Sequence, residues 1–246
     1  MRISLNWLKK YIQIDVDVET LAHQMTMLGL EIEAIERPGG EITEVYVGHI
    51  QSIEPHPDAD KLVVCKTNIG QDAPLQIVCG AKNMKPGDKV PTVIVGGTLP
   101  GGFKIARRKM RGIESQGMMC SGEELGLTDD HSGLLILDPE APIGHDAKEL
   151  LGLDDVVFEI EVTPNRGDTA SMIGVARELA ALYNNPLQLP ELNLQESGKS
   201  AADFTSVEIA DSERCPRYIA RILTGIKIGP SPQWLCQHLI AAGQRP

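Results

Sequence analysis

The hydrophobic positions at the start of the chain repeat first with a helical spacing and then alternate. The spacing of apolar residues in SLNWLKKYI predicts a helix that Ser4 caps, and the spacing in VETLAHQMTML predicts a second helix capped by Asp17. The next segment, LEIEAIE, alternates apolar and polar positions as a half-buried strand does. The opening of the chain is therefore expected to form two helices and a strand.

The middle of the chain has shorter apolar runs, separated by segments rich in turn-forming residues. These runs predict successive strands at VYVGHIQSI, KLVVCKTNI, LQIVCGA, KVPTVIV and GLLILD. Many short strands of this kind indicate a small β-barrel or sandwich. Within the same region, Ser121 and Glu124 have the spacing of a capping box, which predicts one helical turn that Gly126 closes.

Beyond residue 152 the helical and alternating patterns return. VVFEIEV predicts a strand of similar length and pattern to LEIEAIE, so the two strands are expected to pair. After TPNRGD, the segment TASMIGVARELAALYN predicts a helix with Asp168 as its cap.

These patterns predict an α+β protein of several domains. We expect residues 1–39 and 153–190 to form one discontinuous α+β domain, with a β domain at 40–152 inserted into it. Residues 191–203 are a predicted polar linker, and residues 204–246 look like the incomplete start of a third α/β domain.

Positive and negative residues are concentrated in different segments of the chain, and this distribution bears on function. The formal net charge is -11, yet residues 81–112 carry eight Lys and Arg against one acid, and residues 113–155 carry one Lys against eleven acids. A polyanion such as RNA would be attracted to one strip and repelled elsewhere. The alternative is a solvated basic hairpin that balances its acidic neighbour. Because aromatic residues make up 4% of the chain, we expect recognition to depend mainly on phosphates and shape.

The remaining composition excludes other classes of protein. The five cysteines are far apart and form no C-x-x-C pair, which argues against structural zinc and a disulfide framework. No segment resembles a signal peptide or a membrane span, so the expected location is the cytoplasm.

Four motifs in the β region carry a family resemblance. In order, they are HPDADKL, IVCGAKN, LPGGFKI and RGIESQGMMCSGEELGL. Together they resemble the tRNA-binding domain family, which implies that the β domain is an OB-type barrel. The flanking segments SLNWLKKYI with LGLEIEAIE, FEIEVTPNRGDTASMIGVARELAALYN and CPRYIARILTGIKIGPSPQWLCQHLIAAGQRP resemble the N-terminal third of bacterial phenylalanine-tRNA ligase β subunits.

The resemblance implies an α2β2 enzyme that attaches phenylalanine to its tRNA with ATP and magnesium. Its partners would be tRNA and the α subunit, with no membrane, and the aminoacylation chemistry would lie on the α subunit. The editing domain would begin at residues 204–246. We therefore expect no complete active site, no catalytic or metal-binding residue and no cofactor in residues 1–246. The alternative is a stand-alone OB-fold tRNA-binding protein or RNA chaperone.

The candidate RNA-binding residues are cationic or polar side chains in or beside the basic strip. Lys and Arg neutralise phosphates, and Arg can hold two phosphate oxygens at once. The candidates are Lys104, Arg107, Arg108 and Arg111, with Lys82, Asn83 and Lys85 on an adjacent loop. Alternation along a strand places Arg107, Lys109 and Arg111 on one face and the other cations opposite, so we do not expect all five to contact the same RNA.

Two other groups of residues allow a chemical and a structural interpretation. His56, Asp58 and Asp60 lie within five residues of one another and could hold a metal, but the prolines around His56 favour a rigid loop. Cys120 lies near Ser115, Ser121 and His131 and could be a nucleophile, but the absence of a third orienting group favours a buried, inert thiol.

Overall fold

The computed structural model describes residues 1–128, 132–196, 198–229 and 231–246. Within these ranges the helices are α1 (Leu5–Leu8), α2 (Val18–Met27), α3 (Ala147–Leu151), α4 (Met172–Tyr183) and α5 (Gln233–Ala241). The strands are β1 (Arg2–Ser4), β2 (Glu31–Glu36), β3 (Thr43–Pro55), β4 (Val63–Asn68), β5 (Leu75–Cys79), β6 (Lys89–Leu99), β7 (Phe103–Lys104), β8 (Arg108–Met110), β9 (Ile113–Ser115), β10 (Gly117–Met119) and β11 (Val157–Glu161).

A three-stranded antiparallel sheet joins the two ends of the sequence. Its order is β1-β11-β2, with Phe158 opposite both Ile3 and Ile35. The predicted pairing of the two alternating strands is therefore confirmed. Strand β1 was not predicted, because three residues are too few to show a period.

The core against this sheet draws residues from both sides of the central β region. Ile3, Leu21, Phe158 and Val175 are all fully buried in one cluster. Asp155 adds a polar tie, since its carboxylate accepts hydrogen bonds from the Ser4 hydroxyl (2.5 Å) and from a backbone N–H at the start of α1 (2.9 Å). The first and last segments of this unit thus stabilise each other.

The predicted caps of the first two helices are confirmed. The Ser4 hydroxyl accepts from the N–H of Trp7, and the Asp17 carboxylate accepts from the N–H of Thr20. The prediction that Asp168 caps the last helix is wrong. Ser171 caps α4, while Asp168 lies in the short 3-10 turn at Gly167–Thr169.

The central region is a strongly curled antiparallel sheet. Its strand order is β10-β6-β3-β4-β5, with β7 paired to the far end of β6. The curl brings the two ends of this order together, because the N–H of Gln116 donates to the carbonyl of Gln76 at 2.8 Å. The N–H of Val78 also donates to the Ser115 hydroxyl at 3.1 Å.

Two local predictions in this region need correction. GLLILD forms no strand; Leu135 and Leu137 instead donate isolated backbone hydrogen bonds to the carbonyls of Cys120 and Lys89. The capping-box exchange between Ser121 and Glu124 is confirmed, with backbone N–H to side-chain distances of 2.7 and 3.2 Å. That segment is a series of turns and not a helix.

After α4 the chain is largely exposed and irregular. Apart from a 3-10 turn at Ala201–Asp203, the described residues of 188–229 form no helix or strand. Helix α5 then contacts the earlier part of the chain, where the side-chain amides of Gln233 and Gln237 donate to the carbonyl of Leu150. No helix within the described ranges is long and apolar enough to cross a membrane.

Candidate nucleic-acid interface

A two-stranded hairpin carries the centre of the basic strip. Strands β8 and β9 pair in register, with Arg108 opposite Ser115 and Met110 opposite Ile113. The two residues between them, Arg111 and Gly112, have φ values of 45° and 90°. Positive φ at both central positions is typical of a type I′ turn, whose twist matches that of the strands. Arg111 therefore occupies the tip of a tight hairpin.

The predicted alternation across Arg107, Lys109 and Arg111 fails at Arg111, whereas Arg107 and Lys109 both lie beside Glu114. The strand covers residues 108–110 alone, so Arg107 precedes it and Arg111 lies in the turn. Lys109 is the cross-strand neighbour of Glu114, and Arg107 forms an ion pair with the same carboxylate at 3.4 Å. The turn ends the strand before Arg111, so strand alternation does not set the direction of the Arg111 side chain.

The HPDAD loop holds the tip of this hairpin. His56 is 5% exposed, and its Nε2 lies 3.0 Å from the carbonyl oxygen of Met110. The backbone N–H of Asp58 donates to His56 Nδ1 at 3.1 Å, so Nδ1 carries no proton and Nε2–H is the donor to Met110. In the opposite direction, the Arg111 guanidinium donates to the Asp58 carbonyl at 3.2 Å.

This geometry favours the rigid-loop interpretation of HPDAD over the metal site. Both ring nitrogens of His56 are engaged in hydrogen bonds, and neither is available as a ligand. Across the described part of the chain, no group of three His, Cys, Asp or Glu side chains could hold a metal ion.

The cationic side chains of the strip face solvent. Lys104, Arg107, Arg108, Lys109 and Arg111 are all exposed. Arg107 has the carboxylate partner described above, but its own side chain is 63% exposed, so that ion pair is weak and screened. Among the described residues, the strip thus presents positive charge to solvent and is not sequestered against acids.

The backbone before the hairpin is fixed to the curled sheet. Ile105 is buried, and its N–H and C=O bond to the carbonyl of Gly97 and the N–H of Gly96, both at 2.8 Å. The Glu41 carboxylate accepts from two backbone N–H groups of the turn at Pro100–Gly102. Lys104 therefore projects from a short strand that is anchored at both ends.

The loop at residues 82–85 lies beside the hairpin. Lys82 and Met110 both line an open groove of about 620 Å³, and Lys82 and Lys85 are exposed. Asn83 also has a structural role. Its side-chain amide donates to the carbonyl of Leu134 at 2.9 Å and accepts from the N–H of Leu134 at 3.0 Å. The residue is exposed and its amide can form a further hydrogen bond at each end, so its contact with RNA stays a prediction.

The cysteine near this groove has the properties of a structural thiol. Cys120 is fully buried, and burial raises the pKa of its thiol far above the usual range. The Ser121 hydroxyl is engaged with Glu124. His131, the third member of the nucleophile hypothesis, lies outside the described residues. The prediction of a buried thiol is confirmed.

Arg166, in the TPNRGD turn, acts within the three-stranded unit. Its guanidinium donates to the carbonyl of Leu28 at 2.7 Å and forms ion pairs with Asp168 and Glu178 at 3.0 and 3.1 Å. Arg166 ties the end of α2 to the start of α4.

Sequence reasoning did not single out Phe103. This residue is 47% exposed, and the guanidinium carbon of Arg108 lies 5.9 Å from the centre of its ring. It is the one aromatic residue in the sequence from 102 to 112, which is the signal that could have marked it.

Comparison with known proteins gives a context for this surface. The family model described as "Putative tRNA binding domain" matches residues 45–146, which contain the hairpin and the loop at 82–85. Across 100% of its length, the chain is 50% identical to a protein named phenylalanine–tRNA ligase beta subunit from Anaeromyxobacter dehalogenans. It is 44% identical, again across 100% of its length, to the protein of that name from Fusobacterium nucleatum. The resemblance that the motifs indicated is confirmed.

The chain spans 30% and 31% of the lengths of these two relatives. Among solved structures, a MetRS related protein from Pyrococcus horikoshii aligns with 54% of this chain and 96% of its own, at 18% identity and a TM-score of 0.31. That likeness is too low to bear on function.

Proposed function

We propose that this chain, which is similar over its whole length to phenylalanine–tRNA ligase beta subunits, binds tRNA through its basic hairpin. The observation that carries the proposal is a set of exposed cations on a rigid β-hairpin inside the segment that matches the tRNA-binding domain. The proposed contacts are Lys104, Arg107, Arg108 and Arg111, with Lys82, Asn83 and Lys85 from the neighbouring loop.

The physical basis is neutralisation of phosphates. Each phosphate that a Lys or Arg neutralises releases condensed counterions, so affinity falls as salt rises. With about four contacts, the slope of log affinity against log salt is expected to be about -3 to -4. The chain as a whole carries a net charge of -11 despite this basic strip, so its other surfaces are acidic and would repel RNA in other orientations.

The proposed architecture places this surface on an inserted domain. Residues 40–152 would form an OB-type barrel, and residues 1–39 and 153–190 a discontinuous α+β domain. Residues 191–203 would be a linker, and residues 204–246 the start of an editing domain. The shared core of Ile3 and Phe158 supports this division, as does the meeting of β10 with β5. Limited proteolysis that removes residues 1–39 before cutting at 191–203 would contradict it.

In the whole protein, the proposed role is to dock tRNA for a ligase that attaches phenylalanine. We propose an α2β2 assembly with the α subunit, in the cytoplasm, that uses ATP and magnesium. The described residues of this chain contain no cluster suited to a metal ion, so no step of that chemistry is assigned to them. A stand-alone tRNA-binding module is less well supported, because the similarity continues on both sides of residues 45–146.

The test is tRNA binding by fluorescence anisotropy across a range of salt concentrations. We compare the wild type with a triple variant that carries Arg107→Glu, Arg108→Glu and Arg111→Glu. The matched control reverses three exposed cations elsewhere, by Lys9→Glu, Arg177→Glu and Lys199→Glu. We expect the hairpin variant to lose affinity and to show a shallower salt slope, with the control close to wild type. Equal losses of tRNA affinity in both variants would show that the hairpin is not the binding surface.

A mixing experiment separates the ligase from the stand-alone module. A purified α subunit of phenylalanine-tRNA ligase is added to the β subunit that contains this chain, and the mixture is analysed by size-exclusion chromatography. Co-elution is expected for the ligase. Failure to co-elute, together with tRNA binding by the β subunit alone, would favour the stand-alone module.

A further inference from the structure

Phe103 is an aromatic side chain placed where burial does not account for it. The chain has three phenylalanines, and Phe158, by contrast, is fully buried in the core. Phe103 leaves 47% of its surface in solvent on strand β7. Exposing about half of a ring of this size forfeits a corresponding share of the free energy that full burial would provide. The exposed part of the ring is available to a ligand.

The backbone around Phe103 holds the ring in place. Phe103 pairs with Leu99 across a tight turn, and the next residue along the strand pairs with Thr98. Two backbone N–H groups of that turn donate to the carboxylate of Glu41. Ile105, two residues later, is buried in the curled sheet. A ring on such a support loses little conformational entropy when a ligand contacts it.

The surroundings of the ring select a negatively charged ligand. The Arg108 guanidinium lies 5.9 Å from the ring centre, within the range of a cation–π contact. Lys104 and Arg107, both exposed, lie between these two residues in the sequence. An apolar protein surface would have to desolvate these cations without compensation, whereas a nucleotide offers a π face for the ring and a phosphate for the cations.

We infer that Phe103 and Arg108 form a stacking site for an unpaired nucleobase of the bound RNA. This inference rests on the proposed function and adds the feature of the RNA that is recognised. Bases within a duplex are stacked on their neighbours and hide their faces, so the site takes a base from a loop, a bulge or a free end. One base stacks on the ring, and Arg108 and Lys104 contact the adjoining phosphates.

The test uses three RNA probes and four variants of the full chain. The probes are a phenylalanine tRNA transcript, a single-stranded oligoadenylate and a blunt RNA duplex. Phe103→Leu removes the π face and keeps the apolar volume, and Arg108→Lys keeps the charge and removes the planar group. Leu192→Ala, at another highly exposed apolar position, is the matched control. Thermal unfolding of each variant verifies that it is folded.

We expect Phe103→Leu to weaken binding of the single strand and of the tRNA by about tenfold, since stacking contributes this order of affinity per base. Duplex affinity and the salt slope stay at wild-type values, because no charge is removed. Arg108→Lys weakens binding of the single strand and leaves the slope of log affinity against log salt unchanged. Phe103→Trp restores binding, and its fluorescence, measured as the difference from wild type, is quenched by the single strand.

Three results would overturn the inference. The first is wild-type affinity of Phe103→Leu for all three probes, and the second is an equal loss for the single strand and the duplex. The third is unchanged RNA binding with impaired association with the α subunit, which would make Phe103 a protein contact. The proposed function fails separately, since in that case the wild type itself would show no salt-dependent binding of tRNA.

Discussion

The Nε2 atom of His56 lies 3.0 Å from the carbonyl oxygen of Met110, the residue before the hairpin turn. A buried imidazole thus fixes the tip of a basic hairpin that is 54 residues away in the sequence. The contact is reciprocated by Arg111, which donates to the carbonyl of Asp58. The position of the Arg111 side chain therefore depends on a loop that carries no positive charge of its own.

Replacing His56 is expected to reduce both stability and tRNA binding. His56→Ala leaves the Met110 carbonyl and the Asp58 N–H without their partner, and we expect the free energy of unfolding to fall by about 1–3 kcal/mol. Urea unfolding measures this loss, and anisotropy measures tRNA affinity. Asp60→Asn, at an exposed position of the same loop, is the control. Equal stability of the two variants would disprove the proposed anchoring role.

Removing the carboxylate beside the strip is expected to strengthen tRNA binding. Glu114 pairs with Arg107 at 3.4 Å and lies opposite Lys109, so it competes with phosphate for both cations. Glu114→Gln should raise tRNA affinity by about two- to fivefold at low salt and make the salt slope steeper. Glu140→Gln removes the same charge from another exposed site and should change affinity less. A weaker-binding Glu114→Gln variant would count against the hairpin as the contact.

The cap of α4 offers a direct comparison of two candidate residues. The Ser171 hydroxyl accepts from the N–H of Gly174 at 3.0 Å, so Ser171→Ala should lower the free energy of unfolding by about 1 kcal/mol. Asp168→Asn leaves this cap in place and should have a smaller effect on the unfolding of α4. Urea unfolding followed by circular dichroism distinguishes them. A larger loss of unfolding free energy in Asp168→Asn than in Ser171→Ala would support Asp168 as the cap.

The cysteines are expected to react with thiol reagents in an order set by burial. Burial raises the pKa of the Cys65 thiol to about 12, and it raises that of Cys120 as well. Neither thiol should react with Ellman's reagent at pH 8 in the native protein, whereas the exposed Cys215 should react at once. In guanidinium chloride all thiols become reactive. Rapid native labelling of Cys120, identified by mass spectrometry, would show that its site opens.

The ion pair between Arg2 and Glu36 predicts a pH dependence of stability. The guanidinium donates two hydrogen bonds to the carboxylate, at 2.6 and 2.7 Å, and lowers the pKa of Glu36 below its ordinary 4.5. A lowered folded-state pKa stabilises the protein above the unfolded-state pKa, and this stability disappears as pH falls through the folded-state value. Because Glu36 is 41% exposed, the contribution is small.

Urea unfolding of wild type and Glu36→Gln checks this prediction. The wild type should be the more stable at pH 7, and the difference should shrink as pH falls below 4.5. Glu33→Gln, which removes a charge from the same strand, serves as the control. A difference that grows at acid pH would contradict the sign of the pKa shift.

Local sequence determined the features that depend on neighbouring residues. Ser4 and Asp17 cap their helices as predicted, since a cap needs a hydroxyl or carboxylate within three residues of a free N–H. The alternation of β2 and β11 predicted two half-buried strands. The order of motifs in the β region was sufficient to indicate tRNA binding, because each is a short continuous string.

Tertiary structure decided the features in which two local choices were equally good. Asp168 and Ser171 are both residue types that cap helices. Arg166, which also bonds to Leu28 and Glu178, forms an ion pair with the Asp168 carboxylate, and Ser171 caps the helix. The sequence does not show that the amide of Asn83 also bonds to the backbone of Leu134, 51 residues away. The direction of the basic side chains likewise depends on a turn at Arg111 and on its contact with the loop at His56. Sequence patterns record charge and period, but hydrogen bonds between distant segments fix which side chains remain free for a ligand.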